Sequence, residues 1–262
     1  CMSSGGGSGS VAASRVAPIL DAVRDHSSGR VSFSSGRDVE AAARLAAKAE
    51  VAVVVVGTTS GESADRNGTA LPEAQLAYLR AVSAAQPNTV VVVMTPGALT
   101  MDWAESVRGV LCFFMPGQGQ GAAVARVLFG AVNPSGKTPV TMPRKENEMG
   151  LTPSQYPGLD SDGRHVPADC GPSDPIPHAI YSEKLLAGYR WYTAHPEVKP
   201  AFAFGTGLSY TEFAYSAVRL ASSTPGGNHT LTLSLTNTGA VAGSEVAQLY
   251  LRFPDAAKEP PL

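Results

Sequence analysis

Residues 51–66 of the chain read VAVVVVGTTSGESADR, a run of valines that leads into a polar loop. The segment 51–56 is almost entirely valine, which is typical of a strand buried on both faces of a parallel sheet. Two more apolar segments, Thr89–Met94 and Val110–Phe114, have the same character. We therefore predict three buried parallel strands in the first half of the chain.

Helical patterns separate these strands. Apolar residues recur at helical spacing in Asp38–Ala49, with Asp38 as the expected N-cap, and shorter helices are expected at Ala17–Arg24 and Ala122–Phe129. Pro72 is expected in the first turn of a further helix, a position that suits a residue without an N–H. The alternation predicts an α/β fold in which an open, mostly parallel sheet is sandwiched by helices.

The pattern changes in the second half of the chain. Residues 144–179 contain six prolines and no periodicity, which predicts a long functional loop or lid. Alternating apolar and polar residues in Leu231–Thr236 and Val246–Arg252, joined by a turn at 237–243, predict part of an antiparallel β-sandwich. We accordingly divide the chain into a Gly/Ser-rich loop at 1–15, an α/β domain at 16–211 and an incomplete β-sandwich at 212–262.

Composition excludes several classes of function. Of the 262 residues, 20 are Lys or Arg and 22 are Asp or Glu, so the net charge is -2 and no basic field exists to attract nucleic acid or anionic lipid. The aliphatic runs are far shorter than the ~20 residues that cross a membrane. We therefore expect neither a nucleic-acid partner nor a membrane partner.

No metal or cofactor is expected either. The five histidines are scattered without ligand spacing. Gly117–Ala122 follows a strand like a dinucleotide fingerprint, but no acidic residue stands about twenty positions later, so we interpret it as a tight turn. Cys112 lies in an apolar run and is expected in the core. The sequence neither supports nor excludes a disulfide between Cys1 and Cys170.

One loop carries the chemistry that the sequence indicates. Ligands of open α/β sheets bind beyond the carboxyl ends of the strands, and Gly57–Leu71 is the longest of the three loops there. Glu62 follows a glycine in this loop and is the candidate general acid/base, with an ordinary solvated glutamate as the alternative. The adjacent opposite charges of Asp65 and Arg66 are expected to tie the loop down.

Five stretches resemble family-3 glycoside hydrolases of the β-glucosidase type. The segment around Glu62 is similar to the one that carries the family's acid/base glutamate, and residues 231–251 resemble the start of its fibronectin-III-like domain. The other three matches are NPSGKTP at 133–139, YSEKLLAGYRWY at 181–192 and FGTGLSYT at 204–211. Together they cover roughly Gly5 to the last residue.

The resemblance implies a retaining enzyme that removes β-linked glucose from non-reducing ends. Its aspartate nucleophile is expected on an N-terminal (β/α)8 barrel outside this sequence, with residues 1–15 as a loop from that barrel. Residues 1–262 alone are then expected to be inactive. Glu62 is assigned as the acid/base, and substrate contacts are assigned to Ser8, Ser60 and Ser63. Ala64 stands where many relatives have an aromatic residue, which leaves the aglycone preference open.

Several alternatives stay open. The sugar specificity could instead be that of a β-xylosidase or arabinofuranosidase of the same family. If the chain is naturally this short, it is a non-catalytic carbohydrate-binding or interaction module, because one carboxylate does not support double displacement. The expected partners are a β-linked oligosaccharide or glucoside and the barrel, and homodimerisation is left open. Asn67 and Asn228 are candidate glycosylation sites, which fits secretion, or a periplasmic location in a bacterium.

Overall fold

The computed structural model describes residues 6–62, 66–160, 162–164, 178–222 and 227–251. Its helices are α1 (Ile19–His26), α2 (Val39–Ala46), α3 (Glu73–Ala85), α4 (Gln120–Leu128) and α5 (Tyr189–Ala194). Its strands are β1 (Ala52–Gly57), β2 (Thr89–Met94), β3 (Gly109–Cys112), β4 (Phe213–Ser222) and β5 (His229–Asn237). Short 3₁₀ turns cover Gly7–Gly9 and Asp102–Ser106.

Strands β1, β2 and β3 form one parallel sheet in that order. The register pairs Val54 with Val91, and Val91 with Val110. Helix α3 connects β1 to β2, as the alternating pattern predicts, whereas β2 reaches β3 through the 3₁₀ turn alone. The structure confirms the predicted α/β class, and β2 has the predicted bounds.

The sheet has helices on both faces, and alternate strand residues point into two apolar layers. The layer under α2 and α3 contains Ala42, Ala46, Val54, Val56, Leu79, Val82, Val91 and Val93. The layer under α1 and α4 contains Ile19, Val92, Met94 and Val124, with Val53 and Val55 packed against them. Valine repeats without alternation because each face of the strands requires an apolar residue.

The helix starts follow from capping chemistry. The Asp38 side chain accepts a hydrogen bond from the backbone N–H of Ala41 at 2.8 Å, so Asp38 is the N-cap of α2 as predicted. Pro72 differs slightly from expectation, because it occupies the N-cap position of α3 rather than its first turn. Its missing N–H costs nothing there, since no intrahelical partner exists at that end.

Strands β4 and β5 form a separate antiparallel pair. Its register shifts between Ser216 and Arg219, where Ala217 has a positive φ of 49°, as in a β-bulge. The predicted strand at Val246–Arg252 is wrong for residues 246–251, which form neither helix nor strand. Alternation alone does not make a strand, because the backbone also needs a neighbour with which to exchange hydrogen bonds.

The turn at 133–137 joins the two sheets. Asn133 Oδ1 accepts hydrogen bonds from Ser209 Oγ at 3.0 Å and from the Tyr210 backbone N–H at 2.8 Å. Lys137 Nζ lies 3.1 Å from Glu245 Oε1 and donates to the Gly207 carbonyl at 2.7 Å. The NPSGK segment therefore fixes the chain that leads into β4.

The expected long loop contains neither helix nor strand in its described residues, 144–160, 162–164 and 178–179. An isolated antiparallel bridge between Leu159 and His178 closes it. None of the helices that the structure describes is both long and apolar enough to traverse a bilayer. Cys112 is a half-buried free thiol against the core, and burial raises its pKa.

Candidate functional site

The carboxyl end of β1 is held close to its neighbours. The Gly57 N–H donates to Gln75 Oε1 at 2.8 Å, and Gln75 Nε2 donates back to the Gly57 carbonyl at 3.0 Å. A side chain at Gly57 would overlap the Met94 carbonyl oxygen, so only glycine fits beside β2. The loop that leaves β1 therefore starts from a fixed backbone position.

Arg66 brings the loop back to the same edge of the sheet. Its Nη1 donates to the Ala98 carbonyl at 3.0 Å and to Thr58 Oγ1 at 3.3 Å. Thr58 Oγ1 and Thr95 Oγ1 in turn lie 3.0 Å apart in a buried contact. The guanidinium thus bridges the ends of β1 and β2, so Thr58 and Arg66, which flank the polar segment that contains Glu62, are held together.

Glu62 lies exposed on this segment. The backbone N–H of Ser8 donates to Glu62 Oε2 at 2.7 Å, across 54 positions of sequence. Hydrogen bonds from the Ser8 hydroxyl and then from the Ser8 N–H lower the pKa of Glu62, because they stabilise the charged carboxylate. In this environment Glu62 is an ionised, solvent-facing carboxylate at neutral pH.

A second carboxylate anchors the far end of the loop. Glu146 Oε2 accepts from Thr69 Oγ1 at 2.9 Å, and Glu146 Oε1 accepts from the Ala70 backbone N–H at 2.5 Å. Thr69 Oγ1 also lies 2.7 Å from Thr100 Oγ1. The start of the long loop at 144–160 is therefore attached to the chain that follows Arg66.

A cavity of about 400 Å³ lies beside this anchor. Its lining is mostly apolar and comprises Thr69, Ala98, Pro139, Val140, Thr141, Pro143, Asn147, Glu148, Met149, Leu151, Gly188, Tyr189, Tyr192 and Phe204. The Tyr192 hydroxyl donates to Glu148 Oε2 at 2.9 Å, and burial together with this carboxylate raises the pKa of Tyr192. The cavity wall therefore includes a neutral tyrosine that is hydrogen-bonded to a glutamate.

The predicted site residues fall in different places. Ser8 contacts the Glu62 carboxylate itself, and Ser60 lies half-buried two residues before Glu62. Ser63 and Asp65 lie outside the described residues, as do Cys1 and Cys170. The candidate glycosylation residues Asn67 and Asn228 are both exposed. Within the described ranges, no cluster of three or more His, Cys, Asp or Glu residues is arranged to hold a metal ion.

Two anchoring residues had no signal in the sequence. Gln75 lies on α3, 18 positions from its partner Gly57, and Glu146 lies 76 positions from Ala70. A glutamine in an amphipathic helix and a glutamate in a charged loop are both ordinary surface patterns. Only the folded arrangement shows that they bind the backbone at the two ends of the Glu62 loop.

Comparison with known proteins identifies a matching family and a related β-glucosidase. Residues 1–210 match the glycosyl hydrolase family 3 C-terminal domain. A β-glucosidase of Rhizobium radiobacter is 37% identical over 227 residues, which are 84% of this chain and 26% of the relative. The chain thus spans about a quarter of that relative's length.

Two solved structures extend the similarity to the fold. A β-glucosidase from Chaetomella raphigera, D2-BGL, superposes with a TM-score of 0.83 at 30% identity, covering 99% of this chain and 38% of the relative. DesR, a β-glucosidase from Streptomyces venezuelae in complex with D-glucose, gives a TM-score of 0.66 at 35% identity. This match covers 77% of this chain and 24% of DesR. The chain therefore belongs to glycosyl hydrolase family 3, as its C-terminal domain.

Proposed function

We propose that this chain is the acid/base-bearing part of a retaining, exo-acting β-glucosidase. The observation that carries the proposal is Glu62, an exposed carboxylate on a loop at the carboxyl edge of a parallel sheet and held by Ser8. Ligands of open α/β sheets bind at this edge. The relatives from Rhizobium radiobacter and Chaetomella raphigera are named β-glucosidases, which supports a β-linked glucoside as the substrate class.

The chemistry requires a second carboxyl group. Retaining hydrolysis uses two carboxyl groups about 5–5.5 Å apart, one as nucleophile and one that first gives and then takes a proton. We assign the second role to Glu62 and the nucleophile to an aspartate on a barrel domain that the sequence of 262 residues does not contain. Residues 1–262 alone are then inactive, because the double displacement lacks its first step.

Glu62 needs a different environment to act as an acid. The Ser8 hydrogen bonds lower its pKa, whereas a general acid works with a raised one. A barrel that packs over the loop would remove water from the carboxyl group and favour its neutral form. Closing the site between two domains would therefore convert an ordinary surface carboxylate into a proton donor for the leaving group.

The rest of the proposal concerns the organisation of the whole protein. Residues 16–211 form the α/β domain, 212–262 begin a fibronectin-III-like domain, and the protein is secreted or periplasmic. Contacts with the sugar are assigned to Ser8, Ser60 and Ser63. A panel of nitrophenyl glycosides distinguishes glucosidase activity from xylosidase and arabinofuranosidase activity. Hydrolysis of none of them by the protein with its barrel would favour a binding module.

The role of Glu62 predicts how activity depends on the leaving group. In the enzyme with its barrel, Glu62→Ala should lower kcat/KM for alkyl glucosides by roughly 10²–10⁴-fold, the usual contribution of a general acid. Dinitrophenyl glucoside should be cleaved in the first step at nearly the wild-type rate, because its leaving group needs no proton. Steady-state kinetics and the pre-steady-state burst on the two substrates measure this difference.

Glu73 provides a matched control. It is an exposed glutamate in the first turn of α3, just after the same loop. Glu73→Ala should retain wild-type kinetics on both substrates. If Glu62→Ala hydrolysed alkyl glucosides as well as Glu73→Ala does, the proposed function of Glu62 would be wrong.

A further inference from the structure

Gly6, Gly7 and Ser8 are exposed to solvent, yet all three lie against Gly61 and Glu62. The backbone of Gly7 has a φ of +66°, in the region that glycine adopts far more readily than other residues. A Cβ atom at Gly7 would overlap the Cβ of Glu62, and one at Gly6 would come within 3.1 Å of the Gly61 Cα. Glycine is therefore required at position 7 by both conformation and space.

Ser8 follows directly and binds the functional end of Glu62. Its N–H donates a hydrogen bond to Glu62 Oε2 at 2.7 Å. The Ser10 N–H donates a second hydrogen bond to the Gly7 carbonyl at 3.0 Å. The second bond closes the 3₁₀ turn Gly7–Gly9 and so fixes the direction of the Ser8 N–H. The turn thus lies against both the Cβ atom and the carboxyl group of Glu62.

We propose that the Gly7–Ser8 turn is a positioning element for Glu62: its glycine admits the Glu62 stem and its serine fixes the carboxyl group. This inference rests on the proposed function and adds to it a role for Ser8 other than substrate contact. The turn supports the Glu62 side chain from a segment 54 positions away in the sequence. Such support matters, since a displacement of about 1 Å in a catalytic group costs on the order of 10²-fold in rate.

The Ser8 pair of variants tests the serine. Ser8→Ala removes the hydroxyl that lowers the pKa of Glu62 and keeps the N–H, so the pKa of Glu62 should rise. The basic limb of the kcat/KM profile, where the acid loses its proton, should then move to higher pH. Ser8→Thr keeps a hydroxyl and should keep the wild-type limb. A purely structural role would change the yield of folded enzyme and leave the limb in place.

The glycine pair tests the space around the stem. Gly7→Ala places a methyl group against Glu62 and should lower kcat/KM for alkyl glucosides at least tenfold, with a smaller loss on dinitrophenyl glucoside. Gly9→Ala is the matched control, because nothing lies within 4 Å of a Cβ at Gly9. If Gly7→Ala fails to fold, the Ser8 variants still decide the question.

The outcomes separate this inference from the proposed function. If Glu62→Ala shows no dependence on the leaving group, the proposed function fails, and the role of the turn fails with it. If Glu62→Ala behaves as proposed, a basic limb that stays in place in Ser8→Ala, or moves equally in Ser8→Thr, would overturn the positioning role alone. All measurements use the enzyme with its barrel domain.

Discussion

Glu62 illustrates what the local sequence contains about a single residue. Its position after a buried strand and beside a glycine makes it a candidate, and only the resemblance of the surrounding motif to family-3 glycoside hydrolases assigns it the acid/base role. Its hydrogen-bond partner could not be predicted in the same way, because Ser8 lies 54 positions away and was expected to contact substrate instead. Hydrogen bonds across such separations leave no periodic pattern, so the environment of Glu62 required the folded structure.

Tyr192 provides a prediction at the same scale. Its hydroxyl donates to Glu148 Oε2 at 2.9 Å in the wall of the cavity. Tyr192→Phe keeps the ring but leaves the carboxylate without this donor, and should reduce the free energy of unfolding by about 1.5 kcal/mol, as for hydrogen bonds to charged groups. Urea unfolding measures the loss.

Tyr181→Phe is the control, because Tyr181 is 72% exposed. It should change the free energy of unfolding by less than about 0.5 kcal/mol. Equal stability of Tyr192→Phe and the wild type would show that the Tyr192–Glu148 bond contributes nothing.

Secondary structure elements were predictable where the apolar pattern is long. The valine runs gave β1 within one residue and β2 without error. Helix α2 ends at Ala46 rather than Ala49, because the N–H groups of Lys48 and Ala49 bond back three residues and tighten the turn. Helix α5 was missed, since six residues rich in aromatics are too short to show helical periodicity.

The N-cap of α2 gives a prediction at the scale of an element. Asp38→Ala removes the acceptor for the Ala41 N–H and should reduce the free energy of unfolding by about 1 kcal/mol. Asp38→Ser keeps a capping oxygen and should lose much less. Thermal or urea unfolding of the two variants checks the difference, and equal losses would contradict a capping role.

The whole molecule depends on contacts that join its two sheets. Lys137 and Glu245 are 16% and 12% exposed and lie 108 positions apart, and their pairing holds the turn at 133–137 against the chain beyond β5. The sequence predicted the change from α/β to antiparallel structure near Phe213. It did not predict this ion pair, because both residues look like ordinary surface charges in their own segments.

Breaking this pair should destabilise the molecule more than an exposed charge would. Lys137→Met removes the ammonium group from Glu245 and from the Gly207 carbonyl, and should cost about 2 kcal/mol. The cost is less than for a fully buried pair because both side chains retain some solvent. Lys48→Met removes an exposed lysine and should change stability by less than about 0.5 kcal/mol. Similar unfolding curves for the two variants would show that the ion pair does not stabilise the junction.

The proposed acid/base role of Glu62 is tested most directly by an external nucleophile that replaces water. The test uses the Glu62→Ala enzyme with its barrel and dinitrophenyl glucoside, whose first step needs no acid. Azide needs no general base and should attack the covalent glucosyl intermediate, in which the anomeric carbon has already been inverted once. A second inversion gives β-glucosyl azide, and NMR of the anomeric proton identifies it. If Glu62 is the acid/base, azide should restore turnover and the product should be β-glucosyl azide. Formation of α-glucosyl azide, or of no azide product, would show that Glu62 does not have this role.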